Sequence, residues 1–250
     1  MTAPETLDGW FALHDLRRLD RLAWSGLPPA EREKALTEAA DLFASFERVE
    51  DAPEGRSVTY GVVGHKADLL MFHLRGEVRH LHELERAFDQ TMLASYTTRP
   101  YSYLSVIEVS RHGSPEGTAE NIEDSPFVQA RLHPEVPPNS TYLCFYPMSK
   151  KRQGTDNWYS LSASERGELM RAHGRTGRRY AGKVTQIVTG SMGLDDWEWG
   201  VTLFADDPLQ FKKLVYEMRF DEVTARFAEF GPFYVGRRVL PEDLGRYIGE

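Results

Sequence analysis

The sequence is short of cysteine and of long apolar runs. Cys144 is the one cysteine in 250 residues, so an internal disulfide is excluded and a reducing compartment is indicated. No apolar stretch approaches the roughly 18 residues that a membrane-spanning helix needs. The segment Met1–Asp8 lacks the basic and apolar regions of a secretory signal. We therefore expect a cytoplasmic protein without a membrane partner.

Positive charge is also scarce. The chain has 30 Lys and Arg against 38 Asp and Glu, a net charge of −8, so we expect no surface for a nucleic-acid backbone. An anionic ligand would therefore need a local cationic pocket. Hydrophobic residues make up 41% and charged residues 27% of the chain, and this balance is typical of a globular protein with a real core.

The predicted elements follow the same order in both halves of the chain. Residues 1–112 and residues 140–250 each give strand, helix, strand, strand, helix, strand. Residues 113–139 are rich in Gly, Pro and acid and predict an irregular connector. A repeated βαββαβ order is the ferredoxin-like unit used twice. We predict an α+β fold in which two such units pack into a dimeric α+β barrel.

One predicted helix of the second half carries an isolated histidine. Ser162 as N-cap with Glu165 three residues later is a capping box, and the helix should run to about Tyr180. At about 100° per residue, the face of His173 also holds Arg166, Leu169, Met170, Gly177 and Tyr180. Gly174 and Gly177 each cost a helix about 1 kcal/mol. They therefore need a packing reason, such as a flat ligand near the backbone.

Two interpretations of His173 stay open from the residues alone. A single histidine on an apolar helix face is either a hydrogen-bonded core residue or a metal ligand. No second His, Cys or carboxylate lies at zinc-like spacing, which favours no metal or a metal already held in an organic ring. The arginines on the opposite face are interpreted as solvated: Arg171, Arg175 and Arg178.

The strand Thr141–Met148 ends in a phenol followed by cations. Pro147 should end regular pairing, so Tyr146 is expected at a strand end, with Lys150 and two further cations close behind. Ammonium groups would favour a phenolate and place a one-electron donor beside a carboxylate clamp. The alternative is a surface tyrosine beside solvated cations. A planar, anionic, iron-bearing ligand such as a porphyrin with carboxylate arms would suit these residues together with His173.

Gln186 is a lone polar residue on the strand that follows the histidine helix. It shares a face with Val184 and Val188, which are expected to point inward. A buried amide must find a partner, and a ligand is one option.

The chain resembles the HemQ-type coproheme decarboxylases of the chlorite dismutase-like family. The similarity is carried by Tyr146–Lys150, Asn157–Tyr159, Met170–Gly174, Tyr180–Lys183, Gly193–Gly200 and Tyr216–Asp221, with Tyr101–Val106 in the first half. It implies a homopentamer with one porphyrin per subunit in the second half. The substrate implied is Fe-coproporphyrin III (coproheme), which acts as its own redox cofactor. Hydrogen peroxide drives oxidative decarboxylation of two propionates, giving heme b and carbon dioxide in heme biosynthesis.

The resemblance also implies a role for each matching residue. His173 matches the axial iron ligand, Tyr146 the catalytic radical and Lys150 a catalytic propionate contact. Further substrate contacts are implied at Arg131, Pro147, Met148, Ser149, Gln186, Arg219 and Thr224. Gln186 matches the distal residue, and Thr224 stands where a serine is expected. A transient contact with a coproporphyrin ferrochelatase is implied as well.

Three other functions remain as alternatives, of which a heme carrier or sensor is favoured over a chlorite dismutase or a peroxidase. A non-catalytic heme carrier or sensor would need His173 and the cations but not Tyr146. A chlorite dismutase needs a distal arginine, where this chain has the neutral Gln186. A peroxidase would need a distal Asp-Arg pair, which the sequence does not show.

Overall fold

The fold was analysed in a computed structural model that describes residues 5–110, 123 and 125–249. Its strands are β1 (Thr6–Leu19), β2 (Gly55–Val62), β3 (Leu69–Arg75), β4 (Thr97–Ser110), β5 (Tyr142–Lys150), β6 (Arg152–Gln153), β7 (Asp156–Asn157), β8 (Thr185–Gly190), β9 (Trp199–Ala205), β10 (Ala228–Phe230) and β11 (Tyr234–Arg238). Its α-helices are α1 (Arg21–Ser25), α2 (Pro29–Glu47), α3 (Val78–Asp89), α4 (Pro126–Leu132), α5 (Ala163–Arg178), α6 (Leu209–Met218), α7 (Glu222–Phe227) and α8 (Leu244–Gly249).

The large sheet is antiparallel and closes on itself. Its strand order is β10-β5-β11-β2-β3-β1-β4-β8-β9, and β9 pairs again with β5. The two halves of the chain meet where β11 pairs with β2 and where β4 pairs with β8. Helices lie outside this sheet, so the predicted α+β class is confirmed. The division at residues 112 and 139 remains a prediction.

Side-chain alternation divides the sheet into an inner and an outer face. The inner face forms a core with Phe72, Tyr103, Phe145 and Phe204 among its members. On the outer face of the first half, α2 and α3 cover a second core. On the outer face of the second half, Tyr146, Val201 and Leu203 pack against Phe211 and Leu214 of α6. The outer face of β5, β9 and β8 carries the candidate residues Tyr146 and Gln186.

Some expectations about the elements were wrong. The connector is not wholly irregular, because Val128 and Leu132 bury one side of α4 against β1 and β4. Residues 113–122 and 124 of that connector lie outside the described residues. The short helices α1, α7 and α8 were not predicted, since each has six or fewer residues and too little periodicity to detect.

Pro147 does not end β5. Pairing with β9 continues through Pro147 to Met148, and β10 then pairs with Met148, Ser149 and Lys150. On the side away from β9, the partner of β5 changes from β11 to β10 around Pro147. The carbonyl of Pro147 accepts a hydrogen bond from the Gly231 N–H there. Proline has no backbone N–H to donate. At Pro147 the absent N–H is on the side where the partner of β5 changes from β11 to β10, so no hydrogen bond to β9 is lost.

Across the described ranges, none of the helices combines the length and apolar character needed to cross a membrane.

Candidate active site

The histidine helix α5 is held by its predicted cap. The Ser162 hydroxyl accepts from the Glu165 N–H at 3.3 Å, and the Glu165 carboxylate accepts from the Ser162 N–H at 2.8 Å. The helix packs against α6 and α7, with Leu169 on the cluster formed by Trp158, Val223 and Phe227. No side chain of α5 is fully buried. The capping box is therefore confirmed, and α5 keeps an accessible apolar side.

A carboxylate on the neighbouring chain segment fixes the His173 ring. The Nδ1 atom of His173 lies 3.0 Å from Oδ2 of Asp221. Because a carboxylate only accepts, Nδ1 carries the proton, and the lone pair of the neutral ring is on Nε2. The side chain of His173 is 29% exposed, against 11% for Asp221. The ring is thus oriented as in metal sites, with Nε2 available to bind a metal.

The two glycines near His173 have different neighbours. A Cβ on Gly177 would lie 3.2 Å from Cε of Met218, so this glycine permits close packing of α5 on α6. A Cβ on Gly174 would meet only the guanidinium of Arg178, at 3.7 Å. Met218 thus supplies a packing reason at Gly177, and a flat ligand near the backbone stays a prediction. Arg171, Arg175 and Arg178 are exposed, as predicted.

Tyr146 lies in the middle of β5 and is 8% exposed. Its ring stacks on Phe233 at a centroid distance of 4.5 Å and contacts Phe230 at 5.6 Å. Burial raises the pKa of the Tyr146 phenol well above its usual range, and the nearby charge of Arg219 offsets this only in part. The expected phenolate was wrong. Tyr146 is therefore a neutral phenol.

Gln186 shares the outer sheet face with Tyr146. The strand registers give two adjacent rows, Gln186–Leu203–Cys144 and Val188–Val201–Tyr146. With strands about 4.8 Å apart, the ends of each row lie about 10 Å apart. Gln186 is exposed and Val188 is 41% exposed, whereas Ile187 lies in the inner core. The alternation was therefore predicted correctly, but the expectation that Gln186 points inward was wrong.

Lys150, at the end of β5, is a half-buried cation. Its Nζ atom lies 4.9 Å from the centre of the Trp158 ring. Burial lowers its pKa to about 8, and the charges of Asp221 and Glu198 offset part of this shift. The Lys150 backbone N–H donates to the Glu198 carboxylate at 2.7 Å. Lys150 is therefore able to exchange a proton near neutral pH. The Asp221 carboxylate that binds the His173 ring also acts on the charge of Lys150.

Arg219 and Thr224 lie on either side of Asp221 in the chain. The Arg219 guanidinium covers the Phe230 ring at 3.9 Å, next to Tyr146. The Thr224 hydroxyl donates to Asp221 Oδ2 at 3.2 Å, and its N–H donates to Oδ1 at 3.1 Å. A hydroxyl has one proton, so Thr224 cannot donate to a propionate while it donates to Asp221.

Arg131 belongs to α4, which packs against β1 and β4. It lies exposed on α4, with its guanidinium 5.9 Å from the Phe127 ring. A cavity of about 480 Å³ opens at the end of β5. Ser149 and Lys150 line it, together with Lys151, Arg152, Gln153, Asp196, Trp197 and Glu229. Tyr146, His173 and Gln186 lie on the outer sheet face and α5 and do not line this cavity.

Sequence reasoning gave no role to three residues of the site. Asp221 binds the His173 ring, and Glu198 binds the backbone N–H of Lys150. The ring of Trp158 contacts the Lys150 ammonium. All three fall inside segments that carried the family resemblance. Their partners lie 48 residues away in the first two cases, so no local pattern could pair them. Asp221 alone had a local signal, as the N-cap of α7.

The residues fit a metal that is already chelated by an organic ring. Among residues 5–110, 123 and 125–249, no group of three His, Cys, Asp or Glu side chains could hold an ion by itself. His173 offers one nitrogen, and Met170 exposes an apolar side chain three residues earlier on the same helix. The fold and site thus define an α+β protein whose accessible histidine, oriented by a carboxylate, suits a metal that an organic ring already chelates, such as the iron of a porphyrin.

Comparison with known proteins gives the family. Residues 32–239 match the chlorite dismutase family, and the chain belongs to it. A coproheme decarboxylase of Thermus thermophilus is 51% identical over 244 residues, which cover 98% of this chain and 96% of the relative. A structure of a heme-binding protein from the same species has a TM-score of 0.91, with 49% identity and full coverage of both chains. The family that the sequence motifs indicate is therefore confirmed.

More distant relatives share the fold alone. A chlorite dismutase mutant from Candidatus Nitrospira defluvii superposes with a TM-score of 0.77 over 96% of each chain. The sequence identity is 20%.

Proposed function

We propose that this chain is a coproheme decarboxylase, which converts two propionates of Fe-coproporphyrin III to vinyl groups with hydrogen peroxide. The observation that carries this proposal is that one carboxylate, that of Asp221, acts on both His173 and Lys150. Its carboxylate orients His173 and acts on the charge of Lys150, and Tyr146 lies four residues before Lys150 on the same strand. The 51% identity to the decarboxylase of Thermus thermophilus supports it.

Hydrogen peroxide is the oxidant, the iron of the coproheme substrate would activate it, and the side chains hold and orient the substrate. His173 binds the iron through Nε2, because Asp221 holds the proton on Nδ1. The Lys150 ammonium donates a charged hydrogen bond to a propionate, worth about 1.5–3 kcal/mol. It also holds or releases a proton near neutral pH, since burial lowers its pKa to about 8.

Tyr146 is suited to one-electron chemistry on the propionate. Its buried phenol keeps its proton, so it loses an electron and a proton together. Each propionate then gives up a Cβ hydrogen and carbon dioxide, releasing two electrons in all. One hydrogen peroxide accepts them with two protons and becomes two waters. Two peroxides are therefore consumed for each heme b formed.

The test follows the products of purified protein with ferric coproheme. Titrated hydrogen peroxide should remove the equivalent of two formic acids in steps, ending at heme b by mass spectrometry. Tyr146→Phe should bind coproheme with unchanged affinity and lose at least about 100-fold in decarboxylation rate. Tyr142→Phe, a phenol four residues earlier on the same strand face, is the matched control. Bleaching of bound coproheme without a mass change would refute the proposal.

A non-catalytic heme carrier or sensor is the second candidate function. It is favoured by the His173–Asp221 pair, which requires no redox-active phenol, and by the similar protein described only as heme-binding. Tight binding of coproheme without any loss of mass on addition of peroxide, in the wild type and in Tyr146→Phe alike, would support this candidate. Turnover of chlorite would contradict both candidates, since the exposed amide of Gln186 carries no positive charge.

The remaining site and assembly expectations belong to this proposal. Arg219 contacts a propionate at the rim, and Arg131 and the backbone of Pro147–Ser149 contribute further contacts. Gln186 faces the peroxide side, and Thr224 acts through Asp221. The protein forms a homopentamer in the cytoplasm and receives coproheme from a ferrochelatase.

A further inference from the structure

Trp158 is the one aromatic ring in contact with the catalytic cation among the residues that the structure describes. Its indole lies 4.9 Å from Nζ of Lys150 and is 8% exposed. The indole also packs on the Phe227 ring at 5.4 Å, and Leu169 of the histidine helix joins the same cluster. The backbone N–H of Trp158 donates to the Lys151 carbonyl at 3.0 Å. The ring is therefore fixed both to the chain just after β5 and to α5.

The carboxylates that face Lys150 are already engaged elsewhere. Asp221, at the start of α7, accepts from His173 and from the N–H and hydroxyl of Thr224. Glu198, before β9, accepts from the Lys150 backbone N–H and lies 3.6 Å from the guanidinium of Arg152. Both act on Lys150 through their charge. The Trp158 ring, by contrast, contacts the Lys150 ammonium directly.

We propose that Trp158 is a positioning residue of the decarboxylation, whose indole face holds the Lys150 ammonium beside the propionate that reacts. Its catalytic consequence rests on the proposed function; the contact itself does not. The ring has two opposing effects on the proton equilibrium. The π face of the indole favours the charged ammonium form of Lys150, whereas the exclusion of water by the indole favours the neutral amine. Exclusion of water is larger, because burial is the dominant cause of the lowered pKa of Lys150.

The first experiment measures Lys150 without any substrate. Wild type, Trp158→Leu and Trp158→Phe are acetylated with limiting acetic anhydride across a pH series, and the Lys150 peptide is quantified by mass spectrometry. The pH midpoint of the reaction should be about 8 in the wild type. It should rise by about one unit or more in Trp158→Leu, which admits water, and by less in Trp158→Phe. Acetylation of Lys212, which lies over the exposed Tyr216 ring, should be the same in all three proteins.

The second experiment tests the consequence for turnover. Trp158→Leu should lower the decarboxylation rate about tenfold or more and move the alkaline limb of the pH profile upward with the acetylation midpoint. Trp158→Phe should retain most of the rate. In a Lys150→Met background, Trp158→Leu should have no further effect on the rate. Trp24→Leu removes a buried indole from a different core and controls for loss of stability.

The outcomes separate the inference from the proposed function. An unchanged acetylation midpoint in folded Trp158→Leu would overturn the inference, whatever the activity. A midpoint that shifts as expected in a protein that makes no heme b from coproheme would support the contact and refute the decarboxylase. Additive effects of the Trp158 and Lys150 substitutions on the rate would overturn the positioning role.

Discussion

Burial shifts the pKa values of Tyr146 and Lys150, the two residues proposed to do the chemistry, in opposite directions. It raises the pKa of Tyr146 and lowers the pKa of Lys150 to about 8. In both cases the neutral form is favoured, because a buried charge loses its hydration. The tyrosine is thereby kept as a donor of an electron and a proton together. The lysine is kept close to the pH at which a proton moves easily.

Lys150 should reduce the stability of the protein at neutral pH. Its folded pKa of about 8 lies below the ordinary value of 10.5, so the cost of burying the ammonium applies below pH 8 and disappears above about pH 10.5. Lys150→Met should raise the free energy of unfolding by about 1–3 kcal/mol at pH 7 and lower the decarboxylation rate by about 100-fold, to a residual rate that is still measurable. Urea unfolding at pH 7 and pH 10 measures this gain, which should shrink at the higher pH. Lys151→Met, a change at the exposed neighbour, should leave stability within about 0.5 kcal/mol; a less stable Lys150→Met would contradict the argument.

At the scale of elements, Asp221 joins two helices. It is the N-cap of α7, where its carboxylate accepts from the Thr224 N–H, and it binds His173 of α5. The same side chain thus stabilises a short helix and orients the proposed iron ligand. A six-residue helix is marginal by itself, so its position depends on this cap and on the burial of Val223 and Phe227.

Substitutions of Asp221 should separate its two roles. Serine is also a good N-cap, so Asp221→Ser should keep α7 while the His173 ring loses its carboxylate. Coproheme affinity, measured by the absorption spectrum on titration, should fall about 10–100-fold in Asp221→Ser. Asp221→Ala should lose the same affinity and also about 1 kcal/mol of stability. Wild-type affinity in Asp221→Ser would mean that the carboxylate does not set the orientation of His173.

At the scale of the whole molecule, the closed sheet buries two histidines that are remote from the site. The His14 ring stacks on Phe145 at 3.8 Å inside the sheet and binds the Thr202 hydroxyl at 2.8 Å. His73 binds the Ser57 hydroxyl at 2.8 Å. Burial lowers the pKa of each histidine to about 3. Both are therefore neutral in the folded protein at any pH at which it functions.

These histidines should make the fold sensitive to acid. An unfolded histidine protonates near pH 6.5, whereas the folded ones do so near pH 3, so the unfolded chain binds more protons between these values. Stability is then complete above pH 6.5 and falls as the pH falls toward 3. Between pH 7 and pH 5 the free energy of unfolding should drop by about 3–4 kcal/mol.

Urea denaturation at the two pH values provides the check. His14→Gln should remove about half of the drop, whereas His82→Gln, at a side chain that is 66% exposed, should leave it unchanged. A drop of the same size in His14→Gln would show that other groups cause it.

The parts of the fold that were predictable from sequence are local or periodic. The capping box of α5, the order of the longer strands and the face carrying His173 depend on residues close together in the chain. The helices α1, α4, α7 and α8 depend on packing against distant elements and were missed. Closure of the sheet also depends on pairing between segments that are remote in the chain, such as β4 with β8.

The sequence by itself determined the family, the α+β class and the identity of the candidate residues, because motifs and side-chain periodicity are properties of neighbouring residues. Only the tertiary structure decided that Asp221 orients His173, that Tyr146 stays protonated and that Gln186 lies on the outer sheet face. Those outcomes depend on which distant groups exclude water or supply charge. Burial and charge are set by contacts between remote segments, and no local pattern encodes them.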